Sequence, residues 1–291
     1  MMELDELRIF QAVLHEGGVT RAAQRLNRVQ SNVTTRLKQL EEKLGVALFL
    51  REGKRMIATD AASVLNDYAE KMLSLEEEAR QALADSTPRG RLRLGAMEST
   101  AAVRLAPALA EYHSRFPAVQ LELKTGVTAD LTQAVLDGAL DAALVSGSVD
   151  DARLAQCQVY EEEIVLVAAA GLREVTPAML ADATLLTFGS GCAYRQRLEQ
   201  WLREQGLQAR RVIELFSYHA MLGCVACGMG VALLPRSLLA SMPQTAGQVS
   251  VHSLPESLRY AQTMLIHRSH RRQPALDAMR MLLLGEDGRE S

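Results

Sequence analysis

The sequence predicts an α/β protein in three parts: a small basic helical module closed by a tight hairpin, one long helix, and a two-lobed α/β remainder. Three observations predict it. Positive charge is concentrated in residues 20–56, an apolar repeat free of Gly and Pro fills residues 61–84, and short β-type runs alternate with helical ones from residue 92 onward. A length of 291 residues exceeds what one compact domain usually holds.

In the first part, Leu4, Leu7, Phe10, Val13 and Leu14 keep helical spacing until Glu16-Gly17-Gly18 ends the run. A second helix is expected over residues 20–26, with Ala22 and Ala23 small enough for close packing. Asn27-Arg28 makes a short break before a third helix over residues 31–44. That order is a helix-turn-helix pattern. Val33, Leu37, Leu40 and Leu44 form one face of the third helix and leave Gln30, Ser31, Asn32, Thr34, Thr35, Arg36 and Lys38 outside. Leu48-Phe49 extends the core, and residues 51–59 read as a basic hairpin, a wing.

Net charge is −3, so any charge that meets nucleic acid must be local. It is: residues 20–56 carry Arg21, Arg25, Arg28, Arg36, Lys38, Lys43, Arg51, Lys54 and Arg55 against Glu41, Glu42 and Glu52, whereas residues 61–88 are mainly acidic. Apolar residues at 48% and charged residues at 23% set collagen, disorder and a membrane bundle aside. Four cysteines are too few for a disulfide framework, and the first residues lack a signal peptide's order. The longest apolar stretch, 221–235, holds three glycines and falls short of the roughly 20 residues that span a bilayer. These features together predict a reduced, cytoplasmic protein.

In the second part, Leu65, Tyr68, Met72, Leu75, Ala79 and Ala82 step by three and four, which predicts a helix that pairs with another copy. Ser86-Thr87-Pro88-Arg89-Gly90 breaks it. In the third part, strands are expected at 92–96, 119–123, 142–145, 164–168, 185–188, 212–215, 231–234 and 263–267, with helices at 100–115, 129–136, 194–204, 217–227 and 275–284. The alternation predicts parallel sheets in two lobes joined by crossover strands.

Phe10, Ala22-Ala23, Leu26, Gln30, Val33, Leu40-Glu41, Leu44-Gly45, Leu48-Phe49, Arg51 and Thr59 resemble the winged helix-turn-helix signature of LysR-type transcriptional regulators. Phe116-Pro117, Leu136-Asp137-Gly138 with Asp141, and residues 228–235 resemble that family's effector domain, so the resemblance covers essentially the whole chain. Residues 28–32, 98–102, 192–195 and 217–219 look most like its subgroup of putrescine-utilisation regulators called PtrR or YneJ. The resemblance implies a DNA-binding domain at 1–60, a dimerising linker helix at 61–87 and a periplasmic-binding-protein-like effector domain at 91–291. Its first lobe is expected at about 91–162 and 266–291, its second at about 163–265. Expected partners are double-stranded promoter DNA, a small effector, the chain itself as homodimer or homotetramer, and RNA polymerase. Gly18, Val29, Ser31 and Ala62 depart from the family's usual Ser, Ser, Pro and Gly. Val29 cannot accept a backbone N–H, so Ser31 is the candidate cap.

On this reading Gln30, Ser31, Asn32, Thr34, Thr35 and Arg36 meet base edges in a major groove, while Lys38, Arg51, Lys54 and Arg55 meet phosphates. The effector is expected between the lobes. Ser99 and Thr100 follow a strand at a helix start and Thr128 opens the next helix, where free N–H groups and the helix dipole attract a carboxylate. Ser190, Cys192, Tyr194 and Arg195 begin a third helix and Ser217, Tyr218 and His219 a fourth; Thr125 and Ser146 complete the candidate set.

No metal, cofactor or catalysis is expected. Cys224 and Cys227 lack further ligands and read as core packing. Gly228-Met229-Gly230 lacks a third glycine and stands between helix and strand, the reverse of a dinucleotide loop. Ser217 and His219 do not make a triad. Two other functions compete: a small-molecule binding protein or transferase on the same lobes, and a thiol-based redox sensor using Cys192, whose helix-start position would lower its pKa.

Overall fold

A computed structural model of the chain describes residues 2–52, 55–82, 87–172, 175–269 and 273–285. The chain divides into two compact units, Met1–Asp85 and Ser86–Ser291.

The first unit contains α1 (Leu4–Glu16), α2 (Val19–Arg25), α3 (Gln30–Leu44), β1 (Phe49–Glu52), β2 (Arg55–Ala58) and α4 (Asp60–Ala82). Asn27, at φ 51°, turns the chain between α2 and α3, a left-handed conformation that asparagine tolerates better than most residues. Leu7, Phe10, Ala22, Ala23, Val33, Leu37, Leu40, Leu48 and Phe49 share one buried core, as the helical spacing predicts. Glu41 fastens the hairpin to α3, its Oε1 accepting the backbone N–H of Leu48 at 2.7 Å and of Phe49 at 3.2 Å. β1 and β2 pair antiparallel, Phe49 opposite Ala58.

Inside this unit lies a carboxylate. Glu6 on α1 is 0% exposed and accepts from Lys43 Nζ of α3 at 2.6 Å and from the Glu3 backbone N–H at 3.0 Å. Burial pushes its carboxyl up, but Lys43, the Glu3 N–H and the charge of Arg36 hold it below the ordinary value.

The repeat on α4 divides between two faces. Leu65 turns inward with Ala62, Ala69 and Leu73 onto the core, whereas Val64, Tyr68, Met72 and Leu75 lie exposed. The expected single stripe is thus a packed face plus a separate open one, because α1 already occupies one side of α4, where Arg8 also pairs with Glu76.

The second unit runs β3 (Gly90–Met97), α5 (Glu98–Thr100), a π turn (Ala101–Leu105), α6 (Ala106–Arg115), β4 (Val119–Gly126), α7 (Thr128–Leu136), β5 (Ala142–Ser146) and β6 (Leu154–Ala169). It continues with α8 (Pro177–Asp182), β7 (Thr184–Thr187), α9 (Ala193–Glu204), β8 (Arg211–Glu214), α10 (Tyr218–Ala226), β9 (Ala232–Pro235), α11 (Arg236–Ser241), α12 (Pro243–Ala246), β10 (Val249–Ser253), α13 (Glu256–Arg259), β11 (Tyr260–Arg268) and α14 (Pro274–Leu284).

The expectation of parallel sheets is corrected. β3 pairs in parallel with β4 and β5, and β7 with β8, but β11 runs antiparallel to β5 and β6, and β9 and β10 run antiparallel to β6. The cause is β6. Expected as a short strand at 164–168, it is 16 residues long, its first half paired to β11 in the first lobe and its second half to β9 and β10 in the second. β11 pairs with β5 from Thr263, so the return to the first lobe comes before residue 266. Gly230 is fixed by close approach: a Cβ there would stand 2.2 Å from the Thr184 carbonyl oxygen. Cys224 packs in the second lobe, but Cys227, at the end of α10, is exposed and not part of the expected core packing.

Candidate functional site

Two surfaces carry the residues singled out in the sequence, one in each unit. In the first unit, α3 buries Val33, Leu37 and Leu40 and thereby turns Gln30, Ser31, Asn32, Thr35 and Lys38 outward, all exposed. Thr34 is half-buried and its hydroxyl donates to the Gln30 carbonyl at 2.9 Å. Arg36 is half-buried and paired with Glu3 at 3.2 Å, and Arg28 grips both oxygens of Asp5 at 2.7 and 2.8 Å. The Arg28 hydrogen bond holds the Asp5 carboxyl below its ordinary value, against burial.

The expected cap is corrected. α3 starts at Gln30 with an extended Val29 before it and no side-chain cap; Ser31 is the second helical residue. No hydroxyl therefore covers the N–H groups of Gln30 and Ser31, whereas that of Asn32 donates to the Val29 carbonyl at 3.0 Å. Arg51 and Arg55 belong to β1 and β2, their side chains outside the description, and Lys54 lies outside the described residues.

In the second unit the two lobes enclose a cavity of about 270 Å³. The first lobe contributes Met97, Glu98 and Ser99 where β3 ends, and Thr125–Thr128 with Asp130 where β4 passes into α7. The second contributes Phe188, Cys192–Tyr194 at the start of α9, Phe216 and Tyr218 at the start of α10. Gly191 lets the lobes touch beside it. A Cβ there would meet Val127 at 2.8 Å and Ala129 at 3.0 Å, and the Ala129 N–H donates across to the Gly191 carbonyl at 3.4 Å.

Of the candidates, Ser99, Thr125, Thr128, Cys192, Tyr194 and Tyr218 line this cavity; Thr100, Ser146, Ser190, Arg195, Ser217 and His219 do not. Arg195 is drawn away by Glu199 at 2.8 Å and Glu214 at 2.6 Å. The backbone N–H of buried Ser146 donates to the Thr128 hydroxyl at 3.2 Å, and the Ser190 carbonyl accepts from Gln196 at 3.0 Å. Thr100 is buried, Ser217 precedes α10 without a side-chain cap, and His219 is exposed on its first turn.

Burial pushes the Tyr194 and Tyr218 phenols up, with the Ser99 hydroxyl as their shared hydrogen-bonding partner pulling the other way. Burial likewise pushes the Cys192 thiol up, which corrects the expectation that its helix-start position lowers it. Residues missed from the sequence are Glu98, Asp130, Phe188 and Phe216. Glu98 and Phe216 stand inside or beside the motifs 98–102 and 217–219, and that position is the signal in the sequence that marks them. Burial pushes the Glu98 carboxyl up while the Tyr218 backbone N–H and the charge of His219 partly offset it. No helix among the described residues is long and apolar enough to cross a membrane, and no group of ligands for a metal occurs among them.

Comparison with known proteins matches both parts of the chain. The profile of the bacterial regulatory helix-turn-helix protein, lysR family, matches residues 4–63, and that of the LysR substrate binding domain matches residues 85–287. The chain is 39% identical over 269 residues to the HTH-type transcriptional regulator GltR of Bacillus subtilis, covering 92% of this chain and 90% of that one. It is 40% identical over 268 residues to the regulator YusT of the same species, with the same two coverages. Full-length OxyR of Pseudomonas aeruginosa shares the fold with a TM-score of 0.70 at 22% identity, covering 98% of this chain and 95% of that one. CbnR complexed with its target DNA does so at 0.67 and 20%, covering 97% and 99%. A basic helix-turn-helix followed by a two-lobed substrate-binding domain, matched along nearly its whole length, places this chain in the LysR family of DNA-binding transcriptional regulators.

Proposed function

We propose that the chain binds promoter DNA through the exposed start of α3 and the β1–β2 wing, and that a small metabolite held between the lobes changes that binding. The observation that carries this is the pairing, in one chain, of an outward polar and cationic helix face with a cavity walled by two lobes. Gln30, Ser31, Asn32 and Thr35 act at base edges; Lys38, with Arg51, Lys54 and Arg55 of the wing, acts on phosphates. Arg36 swings from Glu3 to the duplex. The open apolar face of α4 supports self-association as a homodimer or homotetramer, which would set two α3 helices on successive turns of a pseudo-palindromic site. The family resemblance adds RNA polymerase as the partner that reads the bound state.

A ligand touching both lobes shifts their arrangement only by its difference in affinity for the two states. The first-turn N–H groups at the start of α9 support a ligand that carries a carboxylate. The motifs at 192–195 and 217–219 support the closer relation to putrescine-utilisation regulators. Fluorescence anisotropy on DNA fragments from upstream of its own and neighbouring genes tests the proposal. Gln30→Ala should flatten discrimination at one base pair by about 1–3 kcal/mol, and Lys38→Ala should weaken all sequences alike and reduce the salt slope by about one. Absence of any salt-sensitive preference among the fragments would overturn it.

A further inference from the structure

We propose that the ligand of the inter-lobe cavity carries an ammonium group whose counter-ion is Glu98, so that the effector is an amino acid or other aminocarboxylate rather than a plain acid. The inference rests on the reading of this cavity as the effector site and narrows its ligand.

Two carboxylates, Glu98 and Asp130, line the cavity, and no Lys, Arg or His is among its lining residues. Arg195, the one cation expected there, is held away by Glu199 and Glu214. The helix starts that would draw an anion are partly answered by the protein itself: Glu98 lines the cavity beside the start of α10, where the Tyr218 N–H favours its charged form, and Asp130 occupies the first turn of α7. A dicarboxylate would bring like charge against both groups, with only the exposed His219, outside the lining, to offset it.

The other walls fit a cation. Phe188 stands edge-on to Tyr218 with ring centroids 4.8 Å apart, and Phe216, 79% exposed, faces the same space. Aromatic faces stabilise a neighbouring ammonium, and a partly desolvated carboxylate gains most from pairing with one. Neither α9 nor α10 has a carboxylate in its own first turn, but Glu98 shares the wall with the start of α10, which leaves the start of α9 for the ligand's own carboxylate.

The test uses the full chain and a panel of amino acids, ω-amino acids, alkyl amines, and mono- and dicarboxylates. Pentanoate, pentylamine, 5-aminopentanoate and 2-aminopentanoate form its matched core, and binding is read by thermal shift and then by calorimetry. Stabilising ligands should be confined to amine-bearing compounds. Glu98→Gln, which keeps an acceptor for the Tyr218 N–H, should weaken them about ten- to a hundredfold without changing the unliganded melting temperature. Asp130→Asn is the second variant, expected to weaken the same compounds by less. Binding confined to acids without an amine, or amine binding unchanged in Glu98→Gln, overturns the ammonium assignment and leaves the effector cavity standing. Silence across the panel, in both stability and DNA affinity, overturns both.

Discussion

Replacing Lys43 with Met removes the side-chain cation bonded to the buried Glu6 carboxylate, and the loss can be sized. Glu6 is 0% exposed and Lys43 33%, with Nζ 2.6 Å from Oε1. Breaking a fully buried pair by removing one partner costs about 3–5 kcal/mol. A third of Lys43 is open to water, which can refill the vacated side, so the expected loss is about 1–3 kcal/mol. At a slope of about 1–3 kcal/mol per molar urea, that lowers the midpoint by about 1 M. The pH dependence follows from the lowered Glu6 carboxyl. Its folded value lies below its unfolded one, so its stabilisation is present above the unfolded value, about 4.3, and disappears as pH falls through the folded one. The variant's deficit should therefore be full at neutral pH and shrink in acid, where a protonated Glu6 no longer needs a cation. Urea titration with hydrogen exchange read at α1 and α3 amides isolates this module from the rest of the chain. An unchanged midpoint at neutral pH, or a deficit that persists undiminished in acid, would refute the reasoning.

Three further outcomes are expected. Gly191→Ala, whose Cβ would stand 2.8 Å from Val127 and 3.0 Å from Ala129, should pry the lobes apart beside the cavity and cost about 1–3 kcal/mol by thermal unfolding; an unchanged melting temperature would show the contact to be slack. Leu75→Glu, at a position 63% exposed, should reduce the mass seen by analytical ultracentrifugation while helix content by circular dichroism stays constant; an unaltered mass would place self-association elsewhere. Because burial pushes the Cys192 thiol up, Cys192→Ser should leave DNA affinity after hydrogen peroxide treatment the same as in the parent protein; a peroxide response that the serine variant abolishes would restore the redox-sensor reading.

Local pattern made the helices legible. Val33, Leu37 and Leu40 announce which side of α3 is buried, and the remaining polar positions follow by geometry. Strand direction was not legible, since nothing in residues 154–169 alone states that one strand serves both lobes or that β11 returns beside it. The α4 repeat was ambiguous for a related reason: a 3.5-residue period marks an apolar helix, but the contacts of α1 decide which of its residues remain open. In the cavity, residues that follow strands were predictable from topology; of the ion pairs that remove Arg195, the one with Glu199 is an i,i+4 pair within α9, whereas the one with Glu214 depends on β8 arriving beside that helix. Glu98 and Phe216 stood next to recognised motifs but acquire meaning only once the lobes face each other.

The shared strand β6 has a mechanical consequence. A ladder belonging to two sheets cannot slide in one without dragging its register in the other, so movement between the lobes is restricted to torsion near Glu163 and Ile164, where partners change from β11 to β9. That wrist is braced on both sides: Glu163 clasps Arg236 at 2.6 Å and Arg259 at 2.9 Å, and Glu162 joins Arg104 at 2.6 Å to Ser237 at 2.7 Å. A rotation of one lobe against the other would have to strain these arginine clasps, so they set the stiffness of any such twist.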